Sequence, residues 1–232
     1  MPVIWIATSN PSKVTEFQLG VRLFQTQSAP EVPRSDPPPE PPPDPPPDPW
    51  TAERVLNFSR LPPCVEDAGT FAGNARKKAL HYSRLSEGLV FADDSGLEVD
   101  ALRGAPGIKS RRFAGPGATD ADNRAKLLVL LGGVPASKRT ARFVCELAVA
   151  RAGDLLVQFR AVAEGSILTA PRGEGGFGYD SLFLDPETQK SFAELSAEEK
   201  LARSHRGRAL RELLNWLAAN HAHHAQSAGR SL

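Results

Sequence analysis

The sequence predicts an α/β protein built on a mixed β-sheet. Three observations lead there. Apolar, β-branched runs such as "VIWIAT" (3–8) and "GLVFADD" (88–94) alternate with stretches of helical period. Two long strand-like runs, "RTARFVCELAVAR" and "LLVQFRAVAEGSIL", are separated only by "AGD" and read as an antiparallel pair. A length of 232 residues, 41% hydrophobic and 24% charged, suffices for one large domain or two lobes sharing a cleft.

The elements follow in order. "VIWIAT" is a buried strand, broken by "SNPSK". Pro11 suits the first turn of a helix, with Asn10 as its N-cap. Val14, Phe17, Val21 and Phe24 then recur at helical spacing, predicting a helix over 11–24. From Asp36 to Pro49, proline triplets alternate with single acids. Prolines fix φ and lack a donor, so this tract is neither helix nor central strand but extended polyproline II or unstructured chain. An inert surface excursion is favoured over a docking motif for a partner domain. A second helix is expected from about Thr70, with Phe71, Ala75, Ala79 and Tyr82 on one face and Arg76, Lys77 and Lys78 as basic positions. "GLVFADD" reads as a strand ending in two aspartates, and "GLEVDAL" as a separate, short alternating strand. "TDADNRAKLLVLLGGV" is a helix capped by Thr119 and ended by Gly132–Gly133. "PRGEGGFGYDSLF" is a glycine-rich loop entering a short strand. "AELSAEEKLARSHRGRALRELLNWLAANHA" is helical with a break near Ser204, and "HHAQSAGRSL" frays.

Composition excludes several classes. Lysine and arginine total 28 against 27 acids, a net charge of +1, so no overall field recruits nucleic acid or an anionic membrane. No apolar run approaches the length of a transmembrane helix, and the N-terminus lacks the marks of a signal peptide. Cys64 and Cys145 show no metal or redox spacing, and Cys145 reads as a small buried thiol. The expectation is a reduced, cytoplasmic protein.

Four polar clusters follow or precede these elements. "TSNPSK" offers Thr8, Asn10 and Lys13 at a helix N-terminus, which suits a phosphate; helix capping and a surface lysine explain it nearly as well. Asp93 and Asp94 are like charges side by side. One aspartate would serve as a turn cap; two are better explained by a divalent cation, with Glu66 as a third carboxylate upstream of a helix. In "GGFGYD", Phe177 either stacks on a flat ligand or tucks into the core. "KLARSHRGRAL" places Lys200, Ser204, His205 and Arg206 at a helix junction, where a solvated basic face is the ordinary reading. Together the clusters suit one ligand: an aromatic base, phosphates and Mg²⁺.

The segments "ATSNPSKVTEF", "FADDSGLEVDALRGAPGIKSRRFAG", "GGFGYDSLF" and "AELSAEEKLARSHRGRAL" resemble, in order from residue 3 to about 217, the inosine triphosphate pyrophosphatases, also called Ham1 proteins. The resemblance implies a long mixed sheet flanked by helices, with two lobes around a central substrate cleft. It implies Mg²⁺-dependent hydrolysis of ITP, dITP and XTP to the monophosphate and pyrophosphate by a cytosolic homodimer. The chain would be one catalytic domain over 1–220, interrupted by the proline-rich insertion at about 30–50, with a flexible tail at 221–232. Carried over, the substrate loop comprises Thr8, Ser9, Asn10, Pro11, Ser12 and Lys13. Glu66 and Asp94 are the metal ligands, with Asp67 a rival to Glu66. Asp94 also accepts the proton of water, Asp93 and Lys13 support that centre, and Ser95 and Lys78 touch the substrate. Phe177, Gly178, Tyr179 and Asp180 form the base pocket, completed by Lys200, His205 and Arg206. Gly73 departs from the family, which usually has an acid there. A Maf-type pyrophosphatase and a non-catalytic nucleotide binder are the alternative classes.

Overall fold

A computed structural model describes residues 2–27 and 50–228; the proline-rich tract, whose conformation the sequence reading addressed, lies outside them. Six strands form one mixed sheet in the order β2-β1-β3-β4-β5-β6. They are β1 Val3–Ile6, β2 Thr51–Arg54, β3 Leu89–Val99, β4 Thr140–Arg151, β5 Asp154–Ile167 and β6 Phe183–Leu184. β1 runs parallel to both β2 and β3, while the β3–β4, β4–β5 and β5–β6 pairs are antiparallel. The helices are α1 Pro11–Gln27, α2 Phe71–Ser83, α3 Asp120–Leu130, α4 Ala197–Arg203 and α5 His205–Ala228. The expected α/β fold with a mixed sheet is therefore present.

Strand alternation sorts the core into layers. On one face Phe91 of β3 packs with Phe17 and Val21 of α1 and with Leu210, Leu213, Leu214 and Leu217 of α5. These α5 leucines recur every three or four residues and are all buried, each contributing roughly 1.5–3 kcal/mol of transfer free energy. On the opposite face Val90 and Ala92 meet Ala75, Ala79 and Tyr82 of α2. A third cluster gathers Leu97 and Val99 from the far end of β3 with Leu127, Phe143, Phe183 and Phe192. The long strands β3, β4 and β5 thus begin in one lobe and end in another, and residues 93–96 of β3 fall between the two cores.

Three local readings change. "GLVFADD" and "GLEVDAL" belong to one strand, because β3 pairs with β4 without interruption from Val90↔Ala150 to Val99↔Ala141. Asp93 and Asp94 sit in its middle rather than at its end. β2 escaped notice, since "TAER" is short and polar and gains its identity only by lying beside β1. Finally, α5 runs past the point where it was expected to fray. Its last turns are alanine-rich, the best helix composition, and no glycine or proline intervenes before Gly229.

Candidate active site

A cavity of about 770 Å³ opens at the waist between the lobes, an ordinary size for a small-molecule site. The β1–α1 turn supplies one wall. There the Asn10 side chain accepts from the Ser12 N–H (2.9 Å) and Thr8 Oγ1 accepts from the Asn10 N–H (3.2 Å). These bonds fix the turn at the N-terminus of α1, the end of a helix that favours anions. Thr8, Ser9, Asn10 and Lys13 line the cavity, whereas Pro11 and Ser12 begin the helix behind it.

The two aspartates part company. Asp93 points toward α1 and α5. Its Oδ2 accepts from Lys13 Nζ (2.6 Å) and Ser95 Oγ (3.0 Å) and lies 3.9 Å from Arg206 Nε. Burial alone would raise its carboxyl, but the charges of Lys13, Arg206 and Lys78 outweigh burial and hold it at about 2. It is 2% exposed and lies beneath the cavity floor. Asp94 points toward α2 and lines the cavity. Its Oδ2 accepts from Asn74 Nδ2 (3.0 Å), and its Oδ1 lies 3.6 Å from Lys78 Nζ. Burial raises its carboxyl above its ordinary value, only partly offset by Lys78 and Asn74.

Glu66 approaches the same Lys78 ammonium at 3.4 Å, so two carboxylates from different elements converge on one cation. Burial would lower Lys78, but Asp94, Asp93 and Glu66 outweigh it and keep the ammonium charged. Asp67 instead pairs with Lys77 at the exposed edge of α2. Among the described residues no three acids, histidines or cysteines form a ready metal cage. Mg²⁺ commonly takes one or two carboxylates plus substrate phosphates, so the oxygen donors of Glu66 and Asp94 fit it.

The other wall is aromatic. The Phe177 ring lies 4.9 Å from Lys200 Nζ and 5.1 Å from the Arg206 guanidinium carbon, with the cavity beside it. It is thus held by cations rather than sunk in the core. Lys200 pairs with Asp180 (2.6 Å) and with Glu16, and Arg206 also pairs with Glu16, so one acid of α1 ties α4 and α5 together behind the wall. Lys200 itself does not reach the cavity surface, whereas Gly178, Tyr179, Asp180, His205 and Arg206 do. His205 stacks on Phe143 at 4.7 Å and 10°. Neither ring nitrogen has a partner among the described residues. Burial, reinforced by Arg206, Lys200 and Lys13, pushes its pKa well below the ordinary value, so the ring is neutral.

This geometry has clear relatives. A profile of the Ham1 family matches residues 4–216. The chain belongs to the Ham1 family. A dITP/XTP pyrophosphatase of Geobacillus kaustophilus is 45% identical over 213 residues, covering 92% of this chain and 93% of that protein. One from Syntrophobacter fumaroxidans is 50% identical over 187 residues, 77% of each chain. The solved Ham1 protein of Coxiella burnetii superposes with a TM-score of 0.73 at 34% identity, covering 94% of this chain and all of that one (100%). As Ham1 sites go, this one contains residues the sequence reading passed over. Arg54, Arg111, Arg112 and Asp120 also line the cavity, and Arg111 Nη1 donates to Ser9 Oγ at 3.4 Å. Only their placement around the cavity marks them, since charged residues at strand and helix ends otherwise read as surface charge.

Proposed function

We propose that this protein hydrolyses dITP and XTP, and ITP with them, at the bond between the α- and β-phosphates, yielding the monophosphate and pyrophosphate. The observation that carries the reading is Asp94. It is a buried, ionisable carboxylate open to the cavity, set between a cation-lined helix turn on one side and an aromatic wall on the other. The names of relatives 40–54% identical to this chain support the same chemistry.

In the mechanism, water attacks the α-phosphorus in line, and Asp94 accepts its proton. The new P–O bond forms as the bond to the bridging oxygen breaks, and that electron pair leaves with pyrophosphate. Lys13 and Lys78 hold phosphate oxygens at the N-terminus of α1, and the hydroxyls of Thr8 and Ser9 beside them add neutral donors. Glu66 and Asp94 would hold Mg²⁺, which when bound would neutralise charge on the triphosphate. Phe177 stacks on the base. Neutral His205 and cationic Arg206 present donors suited to a keto oxygen at purine position 6. An adenine amino group would leave such a donor buried and unpaired, which is costly.

The enzyme is further inferred to be a cytoplasmic homodimer of single-domain subunits. Its two free thiols suit a reducing compartment, and no described helix is long and apolar enough to cross a membrane. The deciding experiment measures pyrophosphate release from dITP, XTP, dATP and dGTP with and without Mg²⁺, with light scattering for subunit number. Rapid Mg²⁺-dependent release from dITP and XTP is expected; equal kcat/KM for dATP and dITP refutes the pocket assignment.

A further inference from the structure

The loop that carries Phe177 is gripped by the first turns of α3. The N–H of Gly178 donates to Asp120 Oδ2 at 2.7 Å, and its carbonyl accepts from Arg124 Nη1 at 2.7 Å. Asp120 and Arg124 stand four residues apart on α3, so they share one helix face. Together they fix the donor and the acceptor of a single residue. Gly178 has φ +63°, the left-handed region that glycine adopts freely. Within the loop the Phe177 N–H already donates to Asp180 Oδ2 at 2.7 Å, and α3 adds the hold on the next residue. Both hydrogen bonds involve a charged side chain, the stronger kind.

The same helix also holds the opposite rim. Asn123 Nδ2 donates to the Arg111 carbonyl (3.0 Å), and its Oδ1 accepts from the Ala114 N–H (2.8 Å). The two rims are joined directly where Tyr179 Oη donates to the Ser110 carbonyl at 2.8 Å. The first turns of α3 thus bracket the loop of Phe177 to the segment bearing Arg111 and Arg112. None of these contacts touches Lys13, Lys78 or Asp94.

We propose that Asp120 and Arg124 are positioning residues that set the base pocket, acting through the Gly178 peptide on the Phe177 ring. The proposal rests on the function assigned above and adds that the hold on the Gly178 peptide is made without Lys13, Lys78 or Asp94. Loosening the bracket weakens recognition of the base and leaves the phosphate turn intact.

The test compares Arg124→Ala, Arg124→Lys and Asp120→Asn with the wild type. Kinetics on dITP are combined with inhibition by dIMP, which needs the base pocket, and by pyrophosphate, which does not. Arg124→Ala is expected to raise KM for dITP and Ki for dIMP about tenfold or more, the scale of one charge-assisted hydrogen bond. The pyrophosphate Ki should stay within about twofold, the dITP-over-dATP preference should fall, and Arg124→Lys should recover part of the loss. Unchanged KM, or dIMP and pyrophosphate Ki rising together, overturns the proposal. Hydrogen exchange across residues 174–181 supplies an arm independent of turnover. It should quicken in Arg124→Ala and Asp120→Asn while β3 and β4 stay protected. If the wild type fails to hydrolyse dITP, the assigned function falls, and unaltered exchange in this loop then refutes the bracket on its own.

Discussion

Within β3, Asp93 faces Lys13 and Arg206 while Asp94 faces Asn74, Lys78 and the cavity, and substitutions should separate their roles. Asp94→Asn keeps the shape and an acceptor for Asn74 but removes the proposed proton acceptor. Turnover of dITP should fall by about 10²–10⁴ with the circular-dichroism spectrum and melting temperature little changed. Asp93→Asn leaves buried Arg206 and half-buried Lys13 short of a counter-charge, which costs roughly 3 kcal/mol. Its signature should be a large drop in the urea midpoint before any kinetic effect is interpretable. A stable Asp93→Asn, or an active Asp94→Asn, would reverse the division. His205 makes a different prediction. Its folded pKa is depressed below 6.5, so as pH falls the unfolded chain takes a proton that the folded protein refuses. The stability it protects is complete above about 6.5 and declines below. Between pH 7.5 and 5.5 wild-type stability should fall by about 1 kcal/mol more than that of His205→Gln, measured by urea titrations at each pH.

At the scale of elements, the break between α4 and α5 brings His205 and Arg206 to the wall of the cavity. Ser204 ends α4 with extended backbone, and its Oγ accepts from the Gly207 N–H at 3.1 Å. Gly207 lies so close to α4 that a Cβ there would stand 1.7 Å from the Leu201 carbonyl oxygen. Backbone cannot yield as a flexible side chain can, so Gly207→Ala should destabilise by more than about 2 kcal/mol. A melting temperature lowered by ~5 °C or more is expected; an unchanged one would mean the two helices are free to slide. This junction was legible in the sequence because Ser204 interrupts a long amphipathic run. The unbroken course of β3 was not. A pair of acids inside an apolar strand reads as its end, and what permits them to stay is Lys13, 80 residues away, and Asn74, 20 residues away. The bracket on Gly178 escaped for the same reason, since Asp120 and Arg124 act across 58 and 54 positions. Local pattern reports burial and period; it does not report which distant charge answers a buried one.

At the scale of the whole molecule, the two described ends that flank residues 28–49 can be placed relative to the site. α1 starts at the cavity and has 17 residues, so its other end lies about 25 Å off at 1.5 Å per residue. β2 begins with Thr51 beside Val3, at the start of β1, whereas the cavity residues Thr8 and Arg54 lie at the other ends, Thr8 just past β1 and Arg54 closing β2. Both attachment points of segment 28–49 therefore sit at the end of the sheet opposite the site. The connection between α1 and β2 closes a parallel crossover, and its closure entropy depends only weakly on length, changing by about 0.6 kcal/mol per doubling. Replacing residues 30–48 with a short Gly/Ser linker should accordingly leave kcat/KM for dITP within about twofold and the melting temperature within a few degrees. The same outcome is expected at low and high protein concentration if the tract is also remote from the subunit contact. A loss of fivefold or more in kcat/KM would place the tract over the cavity. Loss confined to dilute enzyme, with light scattering showing dissociation, would instead place it at the surface of the proposed dimer.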